Sequence, residues 1–335
     1  MSLALALDLG TATTRLANGS GELIYEGPTV AAVETDSRRL VAFGDEALGL
    51  GARSGGRVQL RRPVRAGKLL DIDLAESFLA ALLRRPGVSR LGGPRMLVCS
   101  HLSSTGVQRR AVGRALKRAG ARTVSFVEQP VACAIGAGLE ISEPVGTMVV
   151  DLGAGVCDVA VIALGGLVSS ASVEVGGDNF DEAVREHLAR RHGLLIDRAA
   201  AAQLRRAHAT MSPGGGVGEI EVPGRDTRSG ALRTATVARA ALCAVIDRVA
   251  QPIFDTAARC ITSAPPDLAN DLISNGLILA GGGSRIEGFD RRLAQATGVP
   301  VHVPHDSELL AVLGAAQCLE EGREPALSLS SARAR

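Results

Sequence analysis

The 335-residue chain has no tryptophan, one tyrosine and six phenylalanines, so aromatics are only 2% of it. Single-stranded nucleic acid is gripped by stacking its bases on aromatic side chains, and with so few available no nucleic-acid partner is expected. A dominant charge sign is lacking too: 37 Lys and Arg against 35 Asp and Glu leave a net charge of +2, and Lys68 and Lys117 are the only lysines. That balance excludes recruitment of a polyanion by bulk field. No apolar stretch approaches the ~18 residues that span a bilayer. No basic segment precedes the first apolar run, which Asp8 interrupts early, so no secretory leader is expected. Cys99, Cys133, Cys157, Cys243, Cys260 and Cys318 form no Cys-x-x-Cys pair and have no histidine at ligand spacing. They read as reduced, buried thiols of a cytoplasmic protein. Two familiar phosphate motifs are missing as well. The one Gly-Lys step, Gly67-Lys68, is followed by Leu69, which rules out a Walker loop, and no Gly-x-Gly-x-x-Gly enters a helix.

What the chain does have is a motif written twice. Met148 to Ala163, MVVDLGAGVCDVAVIA, sets an Asp-x-Gly-x-Gly turn at Asp151, Gly153 and Gly155 between two β-rich runs. Leu3 to Ala17, LALALDLGTATTRLA, repeats the Asp-Leu-Gly step at Asp8, Leu9 and Gly10 and adds hydroxyls at Thr11, Thr13 and Thr14. Both read as hairpins whose glycines let backbone N–H groups close on an anion, most simply a phosphate. Two such hairpins with one aspartate each suit the water shell of a Mg²⁺ bridging phosphates, because Mg²⁺ dehydrates reluctantly.

With 46% apolar residues the chain is globular and long enough for two domains. Between the motifs, 22–47 alternates short β-like pieces with turns, a peripheral subdomain. Leu74 to Arg84 and Ser104 to Gly120 carry helical stripes, Met96 to Cys99 and Ser125 to Val127 are strands, and Pro130 suits the first turn of a helix ending at Gly138. The domain boundary is placed there. In the second half, Asp178 reads as the N-cap of a helix over Phe180 to His192, followed by helices over Ala199 to Met211 and Ala238 to Ser263 and a strand over Leu277 to Ala280. Residues 321–335 are polar and Arg-rich, which predicts a disordered tail.

The hairpin pair, EQPVACAIGAG (Glu128 to Gly138), SVEVGGDNFDEAV (Ser172 to Val184) and ILAGGGSRIEGFD (Ile278 to Asp290), in this order, resemble the actin-fold ATPases and specifically the bacterial MreB rod-shape proteins, over residues 3–320. The resemblance implies an α/β, actin-like, ribonuclease-H-like duplicated fold: two domains and four subdomains around a nucleotide cleft. Domain I is expected over 1–138 with a peripheral part at 29–60, and domain II over 139–320 with one at 179–249. It implies ATP and Mg²⁺ as cofactors, with Asp8 and Asp151 serving the metal through water. Gly10, Thr11, Ala12, Thr13, Gly153, Ala154, Gly155, Val156 and Gly177 would line the phosphates. Gly281, Gly282, Gly283 and Ser284 would approach adenine and the α-phosphate. Gln129 falls where the family orients the attacking water; a neutral amide orients water without taking its proton, so a slow ATPase coupled to polymerisation is implied. Implied partners are copies of itself in a filament and the cell-wall synthesis and membrane proteins of the rod-shape system, in the cytoplasm or at the inner face of the cell membrane.

Departures from the family pattern are specific. Val156 and Cys157 stand where many relatives have threonines, Thr13 replaces an asparagine, and the family's ribose-binding glutamate falls at Ala207. Losing one such anchor costs about 1–3 kcal/mol, roughly five- to 150-fold in affinity. Arg205 or Arg206 is the residue available to compensate, at phosphate or over adenine, unless both belong to a solvated face. The loop Arg84 to Pro94, with Val88 and Leu91, reads either as an ordinary exposed loop or as a peripheral lipid contact. Rival readings are a non-hydrolysing scaffold of the same fold and a small-molecule kinase.

Overall fold

The computed structural model describes residues 3–85, 88, 93–212 and 215–322. Packing divides the chain into two units, one of 1–144, 162–167 and 309 onward, the other of 145–161 and 168–308. Of the 84–94 loop, Val88 is fully buried in the first unit's core, so it is not an exposed lipid contact; Leu91 and most of the tail lie outside the described residues. Among those described, no helix is long and apolar enough to cross a membrane.

The first unit opens with β1 (Ala4–Leu9), β2 (Thr13–Asn18) and β3 (Leu23–Pro28), an antiparallel meander that pairs Asp8 with Arg15. Next, β4 (Ala31–Glu34), β5 (Leu40–Phe43), α1 (Asp45–Arg53) and β6 (Val58–Arg61) build the peripheral subdomain, a small sheet ordered β5, β4, β6. A short hairpin, β7 (Val64–Arg65) and β8 (Lys68–Leu69), leads to α2 (Ile72–Leu83), whose cap Asp71 accepts the Leu74 N–H. Then β9 (Arg95–Ser100), α3 (Gly106–Arg118), β10 (Thr123–Glu128) and α4 (Gln129–Gly136) complete the stretch. Thr105 and Gln108 form a capping box at the start of α3. The main sheet is ordered β10, β9, β1, β2, β3, with β9 and β10 parallel to β1. Its inward side chains, among them Leu5, Leu7, Leu16 and Val98, pack with Phe78, Leu79 and Leu82 of α2 and Leu116 of α3.

The second unit repeats this plan. β11 (Thr147–Leu152), β12 (Cys157–Ala163) and β13 (Gly166–Val173) precede α5 (Gly177–His192). Its peripheral part is β14 (Leu194–Leu195), α6 (Arg198–His208), β15 (Glu219–Asp226) and β16 (Leu232–Ala238). Then come α7 (Arg239–Thr262), α8 (Pro266–Asn275), β17 (Leu277–Ala280), a 3₁₀ turn over Gly282–Arg285, α9 (Phe289–Thr297) and β18 (Val301–His302). The sheet is ordered β13, β12, β11, β17, β18, with β17 parallel to β11 and β18 to β17. Three consecutive strands joined on one side by two parallel ones thus occur in both units, the duplication the Asp-Leu-Gly repeat predicts. Phe180, Phe254 and Phe289 are fully buried in the core that α5, α7 and α9 share with this sheet.

Two details differ from expectation. The N-cap of α5 is Gly176, not Asp178; the Asn179 side chain accepts the Gly176 N–H, leaving the Asp178 carboxylate to pair with Arg198 at 3.2 Å. The last helix, α10 (Leu310–Glu320), belongs to the first unit and not to the second half from which it follows in sequence. It lies against α4, where a Cβ on Gly314 would stand 1.9 Å from the Ala132 carbonyl oxygen and one on Gly136 2.1 Å from that of Leu310. Two glycines let the backbones touch, and nothing in the linear sequence marks that pairing.

Gly314→Ala therefore forces the two helices apart and costs about 1–3 kcal/mol by overpacking. Thermal unfolding should show a melting temperature several degrees lower, whereas Gly19→Ala, with no atom within 4 Å of the added carbon, leaves it unchanged.

Candidate functional site

In the first unit the β1–β2 turn is held from within. The Gly10 N–H donates to the Thr13 carbonyl at 3.1 Å, and an added Cβ on Gly10 would meet that same oxygen at 2.7 Å. Thr29 clasps the turn from β3's end: its N–H donates to the Ala12 carbonyl, its hydroxyl to the Gly10 carbonyl at 2.7 Å, and it shares a hydrogen bond with the buried Thr14 hydroxyl. The β7–β8 hairpin covers the other side, with the Gly67 N–H donating to Thr11 Oγ1 at 3.2 Å. The N–H groups of Thr11 and Ala12 donate to no other described residue. These are the free donors an anion-binding turn needs.

Asp8, at the end of β1, is only 6% exposed. Burial raises its pKa above the usual carboxylate range, and Arg15 and His101 oppose that rise. The Arg15 guanidinium lies 3.8 Å from Asp8 but is held closer by Glu26, at 2.9 Å, so Asp8 is only partly compensated. Gln129 begins α4, buried, its side-chain amide bonded to no described residue. Beside it, buried Glu128 pairs with Arg109 at 3.4 Å.

The second unit presents the matching turn. The Gly153 N–H donates to the Val156 carbonyl at 3.0 Å, and the start of α5 clasps the turn as Gly177 and Asp178 donate N–H bonds to the carbonyls of Gly153 and Ala154. Ala154 and Gly155 keep unused N–H groups among the described residues. Asp151 is 3% exposed at the end of β11. Gly281 (φ 82°) passes so close that a Cβ there would lie 2.6 Å from Asp151 Oδ1, and one on Gly283 would meet the Leu152 side chain at 2.2 Å. Ser307 locks this segment: its carbonyl accepts the Gly281 N–H, and its hydroxyl shares a 2.7 Å bond with Ser284. The Ser284 hydroxyl is thereby engaged inside the turn, while Gly282 stays open.

Several expected site residues thus gather within each unit: Asp8 with Gly10, Thr11, Ala12 and Thr13; Asp151 with Gly281 and Gly283; Gly153 and Ala154 with Gly177. Val156 is buried, so its side chain serves the core and only its backbone serves the turn. Burial likewise pushes the Cys157 thiol well up. Arg205 sits beside Gly177, its guanidinium 3.6 Å from where a Cβ would stand there, and is engaged by buried Asp181 at 2.7 Å. Ala207 is exposed near the end of α6. Sequence reasoning missed Arg15, Thr29, Gly67, His101 and Ser307. Each acts across a fold contact, and only Arg15, two positions into β2 opposite Asp8, has a strand-register signal that points to it.

The family model described as MreB/Mbl protein matches residues 2–326. The chain belongs to the MreB/Mbl family. It is 36% identical over 323 residues to the cell shape-determining protein MreB of Escherichia coli (strain K12), covering 94% of this chain and 93% of that one. To the cell shape-determining protein Mbl of Bacillus subtilis (strain 168) it is 34% identical over 318 residues, covering 94% and 95%. Among solved structures, MreB5 of Spiroplasma citri bound to AMPPNP aligns with a TM-score of 0.90 at 24% identity, covering 97% of this chain and 98% of that one. The MamK double helical filament aligns at 0.81 and 19% identity, covering 96% and 99%. The fold of this MreB/Mbl chain is the actin-like α/β fold its motifs imply.

The Asp8 environment gives a signed prediction. A carboxyl whose folded pKa lies above its unfolded value lowers stability at pH above both, and that penalty fades as pH falls through the folded pKa. Asp8→Asn should therefore raise the melting temperature of the ligand-free protein at neutral pH. The gain should shrink toward about pH 4, where the unfolded carboxyl protonates. Thermal melts across pH read both.

Proposed function

We propose that this chain binds ATP with Mg²⁺ through its two Asp-Leu-Gly turns and assembles with copies of itself into cytoskeletal filaments that help organise cell-wall synthesis and cell shape in the cytoplasm. The observation that carries this reading is the duplicated turn. Each unit offers a buried strand-end aspartate and a glycine-rich bend with unused backbone N–H groups, in a member of a family whose relatives are cell shape-determining proteins. The structural neighbours bound to AMPPNP and ADP and the MamK filament support the nucleotide and self-association parts.

The buried Asp8 and Asp151 carboxylates are oxygen donors of the kind Mg²⁺ takes, one or two at a time, with water and phosphates completing its shell. Asp8 and Asp151 are the residues that would hold its water shell. The ion, when bound, neutralises charge on the phosphates. Thr11, Ala12, Ala154 and Gly155 then donate backbone N–H bonds to phosphate oxygens, Gly281 and Gly282 leave room beside the nucleotide, and the unbonded Gln129 amide orients water. The exposed Ala207 favours a second reading, a filament scaffold that binds nucleotide weakly and does not hydrolyse it.

Pelleting with ATP and Mg²⁺ while phosphate release is followed tests the proposal. ATP-dependent sedimentation with slow release is the expected result; sedimentation indifferent to nucleotide supports the scaffold, and phosphate transfer to an added acceptor indicates a kinase. Ala207→Glu should tighten ATP binding by roughly five- to 150-fold if a ribose anchor is restored. Gln129→Ala should slow phosphate release by about tenfold or more while leaving ATP affinity unchanged.

A further inference from the structure

A groove of about 590 Å³ lies wholly within the first unit, between β5 and α2. That volume is in the ~300–1,000 Å³ range of ligand sites. One wall is an open strand edge. β5 is the outer strand of the peripheral sheet, bonded only to β4, and the backbone groups of 40–43 that face away from β4 pair with no other described residue. The opposite wall is shallow because Ser77, Ala80 and Ala81, three and four positions apart, put small side chains on one face of α2.

The rim is cationic. Arg38, Arg39, Arg84 and Arg118 line the groove against Glu46 and Glu76. Arg118 is tied to Glu76 at 2.8 Å and Arg39 to Glu34 at 3.0 Å. Arg38 and Arg84 have no acidic partner among the described residues, and both are exposed. Arg38 also adopts a left-handed backbone (φ 57°) in the turn before β5, a conformation that glycine takes without strain.

We propose that this groove docks an extended acidic peptide of a partner protein, which adds as a strand to the free edge of β5 and sets its carboxylates against Arg38 and Arg84. Main-chain pairing to β5 supplies affinity without demanding particular side chains, and the small floor and the two guanidiniums supply the selection.

The test pans a displayed library of random decapeptides on the full-length protein and on the double variant Arg38→Gly, Arg84→Ala. Glycine suits the left-handed turn, so the variant's melting temperature should be unchanged or higher, which separates lost binding from lost folding. Acidic peptides should be enriched on the wild type. An enriched peptide, once synthesised, should bind the variant at least about tenfold more weakly and slow hydrogen exchange at residues 40–43 of the wild type. No enrichment, enrichment that survives both substitutions, or enriched peptides without acidic residues would overturn the proposal. Phosphatidylglycerol vesicles bound through the same two arginines, with no peptide selected, would overturn it in favour of a lipid surface.

Discussion

Burying a carboxylate is costly unless counter-charge, hydrogen-bond donors or a metal ion meets it, and each unit buries an aspartate next to the end of its first strand. Around Asp8 the protein's own compensation is incomplete, because the nearest guanidinium is shared with a closer glutamate. The bends that follow are over-determined by comparison. Thr29, Gly177 and Ser307 each reach in from a separate segment to fix the backbone near a turn, and Gly67 holds the Thr11 hydroxyl. A fixed backbone with unused N–H groups beside an under-compensated carboxylate is what the proposed Mg²⁺–phosphate ligand would require. Preorganisation of this kind lowers the cost of binding, since no loop has to be ordered when the ligand enters.

The glycines divide by the job they do. Gly10, Gly281 and Gly283 occur where a side chain would collide with the backbone, with the Asp151 carboxylate or with Leu152. Gly136 and Gly314 do the same for two helices. Removing a side chain is thus the recurrent way in which this chain brings segments to close range. The few aromatic rings, by contrast, are spent on cores: Phe43 stacks edge-on against Phe78, and Phe254 lies against Phe289.

Much of this was legible in the linear sequence because it is local. An apolar run, an aspartate and a glycine within six residues announce a strand and its bend, and a second copy announces a duplicated fold. The start of α4 at Pro130 and the helical stripe of α2 were readable for the same reason. Long-range choices were not. Nothing in Ser307 foretells that it fastens Gly281, and nothing in His101 foretells that it packs on Gly67 and bears on Asp8. The cap of α5 was misread because aspartate is the commoner capping residue, whereas here the Asn179 side chain folds back on Gly176 and frees Asp178 for Arg198.

The return of α10 to the first unit has a consequence for how the chain is made. Cys99 and Gly136, early in the chain, make their contacts with residues past 309. As the chain leaves the ribosome, the second unit therefore has nearly all its parts while the first still lacks a wall of its core. Domains generally fold as units during synthesis, so the order of completion here runs opposite to the order of translation. Until the last helix emerges, the face of α4 that it covers lacks that neighbour.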